Sequence, residues 1–206
     1  NSHSPAQRHR LLIAKWAICM VIGCLTGTVA FLIDVAGQQL FNAKWLAAAA
    51  TLNATLGPSD SETPPRSLAA PWLASLALVL ALNGTLVAAA ATLVLRLSPA
   101  AGGSGIPEVK AYLQGIKVPA LLRTSTLVAK TFGVLCAVAG GLVVGKEGPM
   151  IHTGAILAAG LSQGSSKTCN VRTMWLKRFR NDHDKRDFVS AGAAAGVAAA
   201  FGAPPG

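Results

Sequence analysis

The chain has 206 residues, is 52% apolar and only 13% charged, and still carries a formal net charge of +10. A mean hydropathy of +0.49 with that basic excess fits a membrane protein with basic flanks and argues against a soluble domain. Aromatics at 5% and the lack of an aromatic-basic stripe argue against nucleic acid as a partner.

Uninterrupted apolar length gives a first segment from Trp16 to Ile33 and a second, free of charge, between Arg66 and Arg96. Each reaches the roughly 20 residues that a bilayer crossing needs. A third stretch, Thr131 to Val144, covers only about 21 Å of a core about 30 Å thick, so it cannot span upright alone. A fourth, Gly148 to Ser166, and a fifth, Phe188 to Gly206, are rich in Gly and Ala, which suits helix against helix better than helix against lipid. With residues 1–10 as a cytosolic tail, the basic residues collect on the cytosolic side, leaving Lys44 and Arg66 opposite. The first segment starts too late and runs too long for a cleaved signal peptide and reads as retained.

The opposite-side loop, Asn42 to Arg66, contains the glycosylation acceptor pattern Asn53-Ala54-Thr55. The similar Asn83-Gly84-Thr85 falls inside a predicted helix. Cys19, Cys24, Cys136 and Cys169 show neither metal nor disulfide spacing and read as small core residues. His152 has no partner at metal spacing and reads as a packed or pore-peripheral residue rather than a metal ligand. The run Lys177 to Asp187 interleaves both signs and reads as a solvated cytosolic loop.

The chemistry gathers at two glycine-rich turns. Glu147 lies in Gly145-Lys146-Glu147-Gly148-Pro149 between apolar stretches, and an ionisable residue at membrane depth is a functional hypothesis by default. Because the preceding segment is short, this turn should sit partly within the membrane, with a helix beginning at Glu147. Free N–H groups and the positive dipole end there make an anion site. The Glu147 carboxylate is a tethered anion that fills the site when ionised and leaves it when protonated, which couples proton binding to anion occupancy. In Gly102-Gly103-Ser104-Gly105-Ile106-Pro107, the glycines admit close backbone approach, Ser104 offers a hydroxyl and Pro107 opens a helix from Glu108 to Gln114. Paired interrupted helices aimed at an anion are a recurrent transporter design. Gly140 to Lys146 also has the spacing of a phosphate-binding loop, but Glu147 stands where Mg²⁺ coordination needs Ser or Thr.

Gly103 to Pro107, Gly145 to Pro149, and Ala191-Gly192-Ala193-Ala194-Ala195-Gly196 leading to Phe201-Gly202-Ala203-Pro204 resemble, in order, the signature segments of the CLC chloride channels and proton-coupled anion exchangers. The similarity covers most of residues 11–206 and is nearest to the intracellular branch of lysosomal, late-endosomal and plant-type members. The resemblance implies an all-α, polytopic fold of inverted repeats with tilted and re-entrant helices, and a homodimer with one anion pathway per subunit. It implies Glu147 as the gating and proton-coupling glutamate, an anion site from Ser104, Gly105, Ile106, Lys146 and Gly148, and positive potential from Lys146 at the external mouth. Serine at position 104 implies chloride; plant members with proline there prefer nitrate. No catalytic residue, metal or cofactor is implied; chloride and protons are the transported species, and an accessory subunit is left open.

By comparison with the family, residues 11–206 form a partial transmembrane domain, without the second half and the cytosolic CBS modules. The internal proton-relay glutamate is expected shortly after Pro204, and Pro205 replaces a usual branched apolar residue. Three readings therefore remain open: a proton/chloride exchanger in an endosomal, lysosomal or vacuolar membrane, a passive chloride channel of the same fold, and a non-transporting truncated membrane protein.

Overall fold

The computed structural model describes residues 5–56, 69–163, 165–166, 171–172 and 181–203. The backbone is almost wholly helical: α1 (Pro5–Leu56), α2 (Ala69–Leu97), a 3-10 turn (Pro99–Ala101), α3 (Ile106–Leu113), α4 (Thr124–Ala139), α5 (Glu147–Gln163) and α6 (Asp182–Phe201). One antiparallel strand pair of two residues each, β1 (Ser165–Ser166) and β2 (Val171–Arg172), lies between α5 and α6.

Glycine and proline set the breaks. Proline at the start of the 3-10 turn follows Ser98, whose hydroxyl lies 2.8 Å from that of Thr126 and ties the end of α2 to α4. α4 ends in a Schellman arrangement: Gly141 is left-handed (φ 79), its N–H donates to Val138 O, and the Leu142 N–H donates to Ala137 O. The same closure ends α3 at Gly115 (φ 100).

α5 is the central element, with Met150, Ala155, Ile156 and Ala158 all buried. It packs most closely on α6, where a Cβ added at Gly154 would strike the Gly192 carbonyl and one at Gly196 would strike Met150 O. Glycine is required there because two backbones touch, the small-residue packing that lets membrane helices approach. Ile22 of α1 joins Ala158 and Phe188 in one apolar cluster, and Ala30 and Ile33 join Met150 in another. Large side chains such as Trp16, Met20, Phe31, Trp72 and Leu80 face outward. Among the described residues, two helices are long and apolar enough to cross a membrane, residues 9–55 and 70–97, each with a mean hydropathy of 2.2.

Several sequence expectations need correction. The predicted loop from Asn42 is helical through Leu56, so α1 is 52 residues long, about 78 Å. The polar residues there do not end the helix because Lys44 is solvated by neighbouring helices. Asn53 is exposed but helical, with the Thr55 hydroxyl donating to Thr51 O at 2.7 Å. The third segment begins at Thr124 and ends at Ala139, where the glycine pair stops it; its 16 residues, about 24 Å, keep it shorter than an upright span. α3 starts at Ile106, two residues earlier than expected. The run read as a solvated loop is helical from Asp182, and Lys15 of α1 pairs with Asp184 at 2.5 Å and Asp187 at 3.7 Å. Its residues 177–180 lie outside the described residues, as does Cys169. Cys19 and Cys136 are half-buried, but Cys24 is exposed and not a core residue.

Candidate functional site

The two glycine-rich turns meet. Gly148, in the first turn of α5, is buried directly against the turn before α3: a Cβ there would lie 2.6 Å from Ser104 Cβ, 3.1 Å from its Cα and 3.2 Å from its carbonyl oxygen. Gly105, the left-handed residue capping α3 (φ 82), packs on the imidazole of His152, one turn along α5. The starts of α3 and α5 thus form one junction, held by two glycine contacts that no other residue fits. His152 is fully buried, with Nε2 3.0 Å from Leu121 O, which favours the packed alternative of its two readings.

Two helix starts meet at the junction, each with first-turn N–H groups that lack an intrahelical acceptor. The first N–H of α5 to find an intrahelical acceptor is that of Met150, which donates to Lys146 O at 3.0 Å; Pro149 has none to give, leaving the N–H groups of Glu147 and Gly148 as first-turn donors. At α3, the Ile106 N–H donates to Ser104 Oγ at 3.4 Å, and Val109 is the first to bond within the helix, to Gly105 O. Ser104 is exposed, Ile106 half-buried and Glu147 half-buried. The Glu147 carboxylate folds back over Gly145, where any Cβ would overlap Oε2. Glycine at 145 is thus what allows the acid to lie over its own helix start.

Lys146, expected to lend positive potential, instead turns to α1: its Nζ donates to both carboxylate oxygens of Asp34 at 2.8 Å. The pair is half exposed, so the charge is shared with a partner rather than given wholly to the junction. An apolar cavity of about 570 Å³ between α1 and α4 ends at this pair, with Phe41 and Leu135 in its wall, and neither Ser104 nor Glu147 lines it.

Sequence reading passed over three charged residues that the fold brings to bear. Lys130, counted as a cytosolic charge, is 2% exposed and donates to Ala101 O at 3.2 Å and Gly103 O at 2.5 Å, placing an ammonium beneath the Ser104 turn. Asp34 orients Lys146. Lys44, counted as a loop residue, is 6% exposed between α1, α2 and the end of α4. The available signal was their isolation: each is a single charge beside or within an apolar stretch, where charge is expensive.

Residues 84–206 match the voltage-gated chloride channel family. The chain is 46% identical over 194 residues to H(+)/Cl(-) exchange transporter 7 of Homo sapiens, covering 94% of this chain and 23% of the relative. It is 44% identical over 192 residues to chloride channel protein CLC-c of Arabidopsis thaliana, covering 93% of this chain and again 23% of the relative. Its fold is similar to the crystal structure of a eukaryotic CLC transporter, with a TM-score of 0.76 at 25% identity over 94% of this chain and 32% of that one. The chain therefore spans about a quarter of the length of these curated relatives. With the family matched over more than half the chain and the fold shared with a solved member, this chain belongs to the voltage-gated chloride channel family.

Proposed function

We propose that the protein carrying this chain exchanges chloride for protons across a membrane, with Glu147 as the gate whose protonation is coupled to anion occupancy. The observation that carries the reading is the seating of Gly148 on Ser104, which brings two helix starts to one place with the Glu147 carboxylate beside them. An anion between them would meet the first-turn N–H groups of Glu147 and Gly148, the Ser104 hydroxyl and the backbone of Gly105 and Ile106. Helix dipoles, and the Lys130 ammonium behind the Ser104 turn, add favourable potential. The ionised carboxylate competes for the same donors, and protonation removes its claim on them. Lys146 contributes at longer range, tempered by Asp34. The name of the human relative, an H(+)/Cl(-) exchange transporter, supports exchange.

In this reading the protein works without a bound cofactor and without enzymatic chemistry, as a homodimer in an endosomal, lysosomal or vacuolar membrane with residues 1–10 on the cytosolic side. The test is Glu147→Ala in the full-length protein reconstituted into liposomes. Chloride flux should persist while proton movement against it disappears. Unchanged coupling removes Glu147 from the gate, and chloride flux without coupled protons in the unmodified protein makes it a passive channel.

A further inference from the structure

A lysine inside an apolar helix is costly unless its charge is solvated by other groups. Lys44 meets that condition in a specific way. Its Nζ donates to Asn83 Oδ1 of α2 at 3.0 Å and to the carbonyl of Ala139, the last residue of α4, at 3.0 Å. The rings of Phe41 and Trp45 flank it, with centroids at 5.2 and 6.0 Å. A cation on a helix C-terminal carbonyl also complements the negative end of that helix dipole. Asn83 Nδ2 lies 3.5 Å from where a Cβ would stand on Gly141, so the Lys44–Asn83 pair holds the last carbonyl of α4 beside the left-handed residue that closes it. Asn83, the first residue of an apparent glycosylation pattern, is thus half-buried within α2 with its Oδ1 taken by Lys44.

The segment that starts at this grip is the one that delivers Glu147. It leaves α4 at Gly140 and enters α5 at Glu147. Its far end is held by the same helix, since Lys146 is bound by Asp34 of α1. α1 therefore holds the connection at both ends, ten residues apart, about 15 Å along a continuous helix. The connection is thus tied to α1 just before its first residue and at its last, with residues 141–145 exposed between the two ties.

We propose that Lys44, with Asn83, is a positioning residue for the gate: it fixes the start of the Gly140–Lys146 connection, and through it the placement of the Glu147 carboxylate over Gly145. The proposal rests on the reading of Glu147 as the gate.

The test uses the full-length protein in liposomes, with chloride and proton fluxes recorded together. Lys44→Met keeps length and apolarity but removes charge and donors, and should lower proton flux relative to chloride flux about tenfold, the scale of a lost charged hydrogen bond. Lys44→Arg, which keeps a charged donor, should recover most of that ratio. In a Glu147→Ala background, Lys44→Met should change chloride flux by less than about twofold, because no carboxylate is left to misplace. Equal losses of chloride flux in both backgrounds would mark Lys44 as a general brace and overturn the proposal, as would an unchanged flux ratio in Lys44→Met. If Lys44→Met does not reach the membrane, Asn83→Ser, which leaves the carbonyl contact, supplies the same comparison; a shifted ratio with chloride flux kept supports the proposal, and an unshifted ratio overturns it. Failure of the gate reading itself is separately visible, as coupling that survives Glu147→Ala alone.

Discussion

The contact between Gly148 and Ser104 can be tested by one methyl group. In Gly148→Ala the new Cβ would sit 2.6 Å from Ser104 Cβ, whereas carbon atoms rest at about 3.5–4.0 Å, so about 1 Å of overlap must be relieved. Neither side yields easily. Ser104 Cβ is fixed to its backbone, and the turn carrying it is pinned by Lys130 at the carbonyls of Ala101 and Gly103 and by Gly105 against His152. α5 cannot retreat without opening its backbone contacts with Gly192 and Gly196 of α6. Overpacking of this kind costs about 1–3 kcal/mol. The larger effect is on transport: moving two sets of donors apart by about 1 Å can lower a rate by about a hundredfold when geometry is the determinant. Chloride efflux from liposomes carrying the full-length variant should therefore fall at least about tenfold, while detergent-solubilised protein still shows a cooperative, lowered melting transition. Gly160→Ala is the matched control, in the same helix with nothing near its Cβ position; it should keep its flux and gain about 0.5–1 kcal/mol of stability. Gly148→Ala with flux equal to the unmodified protein would refute the claim that the two helix starts form one site.

Further outcomes follow from other contacts. Gly196→Ala places a methyl against Met150 O and Ile151 Cα, backbone atoms that cannot rotate away, and should lower stability by about 1–3 kcal/mol in thermal unfolding; an unchanged melting temperature would show that α5 and α6 are less closely packed than described. Asp34→Asn leaves the Lys146 ammonium without its carboxylate, so apparent chloride affinity should tighten about two- to fivefold at low ionic strength and return toward normal as an impermeant salt is added. No change at low salt would remove Lys146 from the potential felt at the junction. Lys15→Ala breaks ion pairs with Asp184 and Asp187 that are partly exposed, and should cost no more than about 1 kcal/mol; a loss several times greater would mean that the α1–α6 contact at this end carries more of the fold than its exposure implies.

What the sequence disclosed and what it hid divide along one physical line. The short span of α4 and the start of α5 at Glu147 could be anticipated because glycine and proline act locally: they stop a helix, allow a left-handed residue or admit a backbone contact wherever they stand. Gly141, Gly105 and Gly148 each do so here. The extent of α1 and the positions of Lys44, Lys130 and Asp34 could not be anticipated in that way. Run length of apolar residues measures where a chain can face lipid, and a charged residue ends the run whether or not it ends the helix. Asp34 ends the run and not the helix, and Lys44, ten residues on, stays within it because Asn83 and the Ala139 carbonyl, 39 and 95 residues away in sequence, solvate its ammonium. Lys130 was placed in water by the charge count, yet its partners are carbonyls of the turn before Ser104. In both cases the missing information was a backbone carbonyl left over by another element's termination. Helix ends buried in an apolar protein need donors, and lysines set within apolar stretches can supply them. A lone lysine in such a stretch is therefore better read as a search for an unsatisfied helix C-terminus or glycine turn than as a boundary with water.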